Sequence, residues 1–150
     1  MKILVAVDGS AGAAAAVKSV SQRPWPRGSI FRVLAVFSAP LPSNAARGGV
    51  SPELRHRYTN AIADPARDAA SHAASLLETA GLLVETKVVE GDAGPAIVAH
   101  AERWNADLIV LGSRGLSRVR RVLLGSVATY VSANASCSVE IVRKKRKSSK

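Results

Sequence analysis

Short, nearly unbroken apolar runs alternate along the chain with longer stretches in which apolar residues recur every three or four positions. KILVAV at 2–7 and DLIVL at 107–111 are the most apolar of the short runs. A strand that is apolar at successive positions belongs to a sheet covered on both faces. SIFRVLAVFS at 29–38, LLVETKVV at 82–89 and SVEIVR at 138–143 read as three further strands. Between the first two strands, Ser10 is placed to cap an alanine-rich helix over 11–21, which stops before Pro24 and Pro26. A helical stretch over 52–80 contains Asp64-Pro65, where a kink or a restart is expected, and Gly81 is its natural terminator. A third helix starts at Asp92–Pro95 and ends near Trp104, and a fourth covers about 126–135. Strand and helix alternate throughout, and right-handed crossovers turn that order into a parallel sheet with helices on both faces. The fold class is therefore α/β: one doubly wound domain with a five-stranded parallel sheet in the order 3-2-1-4-5.

Composition narrows the packing. Of the 150 residues 47% are hydrophobic but only 4% aromatic, and alanine is abundant, which suits closely packed helices on a sheet. The length is that of a single domain able to bury a sizeable core. The first apolar run is too short for a signal peptide, and no run approaches a membrane-spanning length, so the expectation is a soluble, cytoplasmic protein without a membrane partner. Cys137 is the only cysteine, which excludes an internal disulfide and fits a small apolar side chain better than a nucleophile.

The net charge of +10 is concentrated at one end. RKKRKSSK at 143–150 carries six positive charges, and removing them leaves +4 for the remainder. We expect a folded domain over 1–143 and a solvated basic tail over 144–150. Nucleic acid or an acidic partner would be met only through that tail.

Open parallel sheets bind ligands beyond the carboxyl ends of their strands, where the strand order reverses. With the order 3-2-1-4-5 that point lies between the first and fourth strands. Asp8 follows the first directly. The fourth runs into GSRGLSRVRRVLLGSVATYV at 112–131, which has three glycines, four arginines and no acid. Gly112 and Gly115 allow close backbone approach, and Gly125-Ser126 opens a helix whose first N–H groups lack intrahelical partners. Helix N-termini favour anions, and Arg114, Arg118, Arg120 and Arg121 add positive potential, so the segment suits a nucleotide's phosphates. The same residues are also ordinary turn chemistry, and the arginines equally make a solvated loop.

Gly112-x₂-Gly115-x₉-Gly125-Ser126, preceded by ADLIVLGSRG and paired with ILVAVDGS, resembles the ATP-binding branch of the universal stress protein family. The resemblance runs from Lys2 to Arg143 and takes in GDAGPAIVAHA. It implies a Rossmann-like domain, dimeric through the last strand at 138–143, with ATP and Mg²⁺ as ligands. Under it Asp8 lies near the ribose or the metal-bound phosphates and is the implied metal contact. Val36 meets the adenine. Gly112, Arg114 and Gly115 flank the ribose and α-phosphate, and Gly125, Ser126 and Val127 hold the outer phosphates. Ala6, Val7 and Leu111 complete the implied cofactor-binding set. A second hydroxyl often follows this last segment in the family, whereas Ala128 stands here and Thr129 comes one position later.

Three functions follow as alternatives. The first is an ATP-binding regulatory module of the stress response, with at most slow hydrolysis and no assigned catalytic residue. The second is an enzyme of a related α/β nucleotide-hydrolase class, which would carry Ser-Gly-Gly-x-Asp-Ser after the first strand where this chain has VDGSAG. The third is a basic interaction protein working through its tail. The phosphate-loop pattern Gly-x₄-Gly-Lys-Ser/Thr is absent from the sequence. His56, His72 and His100 lack metal-ligand spacing, Trp104 is expected to anchor the third helix, Trp25 to pack its loop, and Asp92 to cap a helix.

Overall fold

The structure is a computed structural model and describes residues 1–41, 43, 45–116 and 124–144. Five parallel strands form one sheet in the order β3-β2-β1-β4-β5, the arrangement expected from the strand–helix alternation. They are β1 (Lys2–Val7), β2 (Ile30–Phe37), β3 (Leu83–Glu90), β4 (Leu108–Gly112) and β5 (Ser138–Val142). The α-helices are α1 (Ala11–Ser21), α2 (Pro52–Thr79), α3 (Ala93–Trp104) and α4 (Ser126–Asn134).

β1 is central and is buried at every position from Ile3 to Val7, because helices cover it on both sides. Its alternating side chains divide the core in two. Ile3, Val5 and Val7 join Phe31, Val33 and Ala35 beneath α1 and α2. Leu4 and Ala6 join Leu34, Ile109 and Leu111 beneath α3 and α4. Small side chains set the helix distance on the first face, where α1 contributes Ala13 and Ala16 and α2 contributes Ala70, Ala73 and Ala74. The register brings Val5 of β1 beside Val33 of β2 and Val110 of β4.

Of the kink or restart expected at Asp64-Pro65, the restart does not occur: α2 is one helix through Pro65. A proline inside a helix leaves the carbonyl four residues earlier without its N–H donor. Here that carbonyl belongs to Ala61 on the exposed side, where water can take it. Arg67 also braces the turn from outside, donating from Nη1 to the Asn60 carbonyl (3.2 Å) and to Asp64 Oδ1 (2.9 Å). Gly81 (φ +82°) ends the helix as read, its N–H donating to the Glu78 carbonyl while Leu82 donates to that of Leu77. Among the described residues no helix is long and apolar enough to cross a membrane.

Candidate functional site

At the carboxyl end of the sheet, the turn after β1 and the loop after β4 are tied to one another. Asp8 Oδ1 accepts the Ser10 N–H at 2.9 Å, which fixes the turn out of β1. Ser10 then caps α1, its Oγ accepting the Ala13 N–H at 3.1 Å, as the sequence suggested. The same hydroxyl donates across to the Arg114 carbonyl at 3.4 Å. On the other side, Ser113 accepts the Gly125 N–H at 2.7 Å and donates its own N–H to Val142 of β5 at 2.9 Å. Those bonds hold the start of the long loop against the beginning of α4.

Two glycines make this approach possible. A Cβ on Gly12, in the first turn of α1, would overlap the Arg114 carbonyl. One on Gly112 would overlap the backbone of Gly12 in return. The backbones of α1 and the post-β4 loop are therefore in direct contact, and neither position has room for a side chain.

Between these segments and α3 lies a cavity of about 890 Å³, within the usual size of a small-molecule site. All the residues of the cofactor-binding set implied by the resemblance line it. Ala6, Val7 and Asp8 come from the end of β1 and Val36 from late β2. Leu111, Gly112, Arg114 and Gly115 come from the end of β4, and Gly125, Ser126 and Val127 from the start of α4. Arg118, Arg120 and Arg121 lie outside the described residues, as do 145–150 of the basic tail.

The lining divides by chemistry. Leu34, Val36, Ile97 and Leu111 make an apolar floor against the sheet and α3. The opposite side carries polar backbone. Gly125 is the N-cap of α4 with no side-chain cap, so among the described residues no side chain takes the first-turn amides of Ser126, Val127 and Ala128, which can meet solvent or a ligand. The Thr129 hydroxyl donates to the Gly125 carbonyl at 2.9 Å and is engaged within the helix. A Cβ on Gly115 would stand 2.6 Å from Asp8 Oδ2, so that glycine keeps space in front of the carboxylate. At Gly125 the nearest atoms to a Cβ are Arg114 Cα and the Ser113 carbonyl, both at 3.3 Å. A side chain there would press on the loop backbone.

Several lining residues escaped the sequence reading. Ser113 sits between two named residues, and Leu34 shares the face of Val36 two positions on, so a period-2 reading of β2 would have found it. Ala93 and Ile97 come from α3 and Tyr130 from the second turn of α4, four residues after Ser126. Gly12 carried a signal too, as a lone glycine in an alanine-rich helix.

The residues set aside in the sequence lie elsewhere. His56 and His72 are exposed on α2. His100 stands 3.1 Å from Arg32 Nη1, and burial, followed by the Arg32 charge, lowers its pKa. Trp104 packs partly buried against the α3/α4 core. Trp25 donates its Nε1–H to the Val20 carbonyl at 2.9 Å and meets Phe31 edge-on. Asp92 occupies the N-cap of α3 but makes no side-chain cap bond. Cys137 is half-buried, and burial raises its thiol pKa. No group of three or more His, Cys, Asp or Glu that could hold a metal occurs among the described residues.

Comparison with known proteins locates the chain. The profile of the universal stress protein family matches residues 1–143. Universal stress protein MJ0531 of Methanocaldococcus jannaschii is 31% identical over 147 residues, covering 97% of this chain and 84% of its own. The solved structure of MJ0577, from the same organism, superposes with a TM-score of 0.80 at 26% identity and 97% coverage of both chains. The universal stress protein of Archaeoglobus fulgidus in complex with dAMP superposes with a TM-score of 0.65 at 26% identity, covering 95% of this chain and 97% of that one.

Proposed function

Because this chain belongs to the universal stress protein family, we propose that it binds ATP with Mg²⁺ at the carboxyl-end cavity and acts as a nucleotide-dependent module of the stress response. The observation that carries the reading is the convergence of Asp8, the glycine-spaced loop after β4 and the uncapped start of α4 on one cavity with an apolar floor. That division suits a nucleotide: the base lies on Leu34, Val36 and Ile97, and the phosphates meet the α4 amides. The structure of the Archaeoglobus relative in complex with dAMP supports the same ligand class.

The donor set fits magnesium accompanying phosphate. Mg²⁺ is commonly held by one or two carboxylates together with phosphate oxygens and water. Asp8 is exposed, with Oδ1 engaged by Ser10 and Oδ2 directed past Gly115. When bound, the ion would neutralise phosphate charge, and Arg114 at the rim of the cavity would add to that. Turnover in this reading is slow at most.

Homodimerisation through β5 is part of the proposal, and the two sheet edges supply its support. β3 sets Glu85, Lys87 and Glu90 along its exposed edge. β5 has a single charge, Glu140, paired with Arg23 at 2.7 Å, beside half-buried Val139, Ile141 and Val142. Charged edges resist strand addition, and apolar ones permit it.

The test is to denature freshly purified protein and identify the released nucleotide by mass spectrometry. ATP is expected. Absence of nucleotide, together with no binding at millimolar ATP and magnesium, rejects the reading. Release of AMP with pyrophosphate formation on adding ATP would favour the hydrolase alternative.

A further inference from the structure

Tyr130 differs in kind from the rest of the cavity wall. Among the described lining residues it is the one aromatic side chain. It lies four residues beyond Ser126 on the same helix, and is 40% exposed where a packed tyrosine would be covered. Its ring rests on Gly94 in the first turn of α3: a Cβ on Gly94 would stand 2.9 Å from Tyr130 Cγ and Cδ1. Gly94 is buried, so the ring occupies the space its missing side chain would fill. The neighbouring α3 residues Ala93 and Ile97 line the apolar lobe. A flat, half-exposed ring is thereby held at the border of the lobe assigned to the base.

We infer that Tyr130, seated on Gly94, is a specificity-determining residue of this site, contacting the planar ring of a nucleobase and selecting nucleotides over bare polyphosphate. The inference rests on the nucleotide reading above. Aliphatic side chains accept any apolar group, whereas an aromatic face adds a preference for another π-system. Base–aromatic stacking changes affinity by roughly five- to 150-fold when the ring is removed. The ring's seat is on α3, while the phosphates are assigned to the backbone amides of α4, so removing the ring should bear on the base rather than the phosphates.

The test compares ATP with inorganic tripolyphosphate, each with magnesium, by calorimetry on the full chain. Tyr130→Ala is expected to weaken ATP about tenfold or more and to leave tripolyphosphate unchanged. Tyr130→Phe retains the ring and should keep ATP binding within about twofold. Gly94→Ala, which forces the ring off its seat, should reproduce the selective loss without altering Tyr130 itself. Unchanged ATP binding in folded Tyr130→Ala overturns the inference, as does an equal loss for both ligands, which would make Tyr130 only a wall. Failure of the unmodified protein to bind ATP overturns the nucleotide reading, and this inference with it.

Discussion

The two ends of the same sheet are built in opposite ways. At the amino end, side chains close the structure. The Lys2 N–H donates to Asp107 Oδ2 at 2.7 Å, and Lys2 Nζ donates to the Trp104 carbonyl at 3.1 Å. Arg32 pairs with Glu85 at 2.6 Å and lies over the Trp104 ring, its Cζ 4.2 Å from the centroid. At the carboxyl end, the polar contacts run largely through backbone, and none of the three ion pairs among the described residues involves a residue lining the cavity. Glycines replace side chains there, and among the described residues the start of α4 has no side-chain cap. Hydrogen-bonded and ion-paired side chains make one end a structural closure. Helix amides with no side-chain cap among the described residues, set around a cavity, suit the other to the proposed ligand.

That contrast predicts separable effects. The largest belongs to Gly112→Val, which places a branched side chain on the backbone of Gly12. Overpacking of rigid backbone should cost about 3 kcal/mol or more of stability and abolish nucleotide binding, as read by urea denaturation and calorimetry. A stability loss with intact binding would mean that the α1–loop contact does not shape the site. Trp104→Ala, at the other end, should lower stability by about 2 kcal/mol through lost packing and cation–π contact, with nucleotide affinity unchanged. Weakened binding in that variant would erase the distinction between the ends.

The smallest effect is a pH dependence at His100. Burial, then the charges of Arg32, Arg103 and Lys87, hold its pKa below the ordinary 6.5, while Glu85 acts in the opposite direction. The unfolded chain takes up a proton near that value before the folded protein does. The contribution is therefore present above pH 6.5 and is lost as the pH falls through the folded-state value. Solvent screening keeps it under about 1 kcal/mol. Denaturation curves from pH 7.5 to 5 should show a shallower loss of stability in His100→Gln; identical slopes would remove His100 from the account.

How much of this was legible in the sequence depended on the range of the forces involved. β1 and β4 announced themselves because burial on both faces demands apolar residues in succession, as Ile3 to Val7 have. The start of α1 was equally clear, since the Ser10 cap acts over three residues. Asp8 and Gly112 stand at the ends of predicted strands, so topology alone brings them together, whereas Ala6, Val7, Val36, Leu111 and Val127 enter only through the family resemblance. What stayed hidden needs contacts between distant segments. The Gly12–Gly112 contact spans a hundred residues and leaves only two ordinary glycines in the sequence. Tyr130 reads as a helix residue until α3 supplies Gly94 beneath it. The continuity of α2 through Pro65 depends on which side of the helix faces water, and local propensity carries no such information.

The most direct measurement is a calorimetric titration of the protein with ATP and magnesium, run beside Gly125→Val. The account predicts saturable one-to-one binding to the unmodified chain. In the variant, pressure on the backbone of Ser113 and Arg114 should displace the loop and weaken binding by about a hundredfold, or about 2.7 kcal/mol. Equal affinity in a folded Gly125→Val protein, or no binding to the unmodified chain at millimolar ATP, would contradict the claim that the carboxyl-end cavity is a nucleotide site.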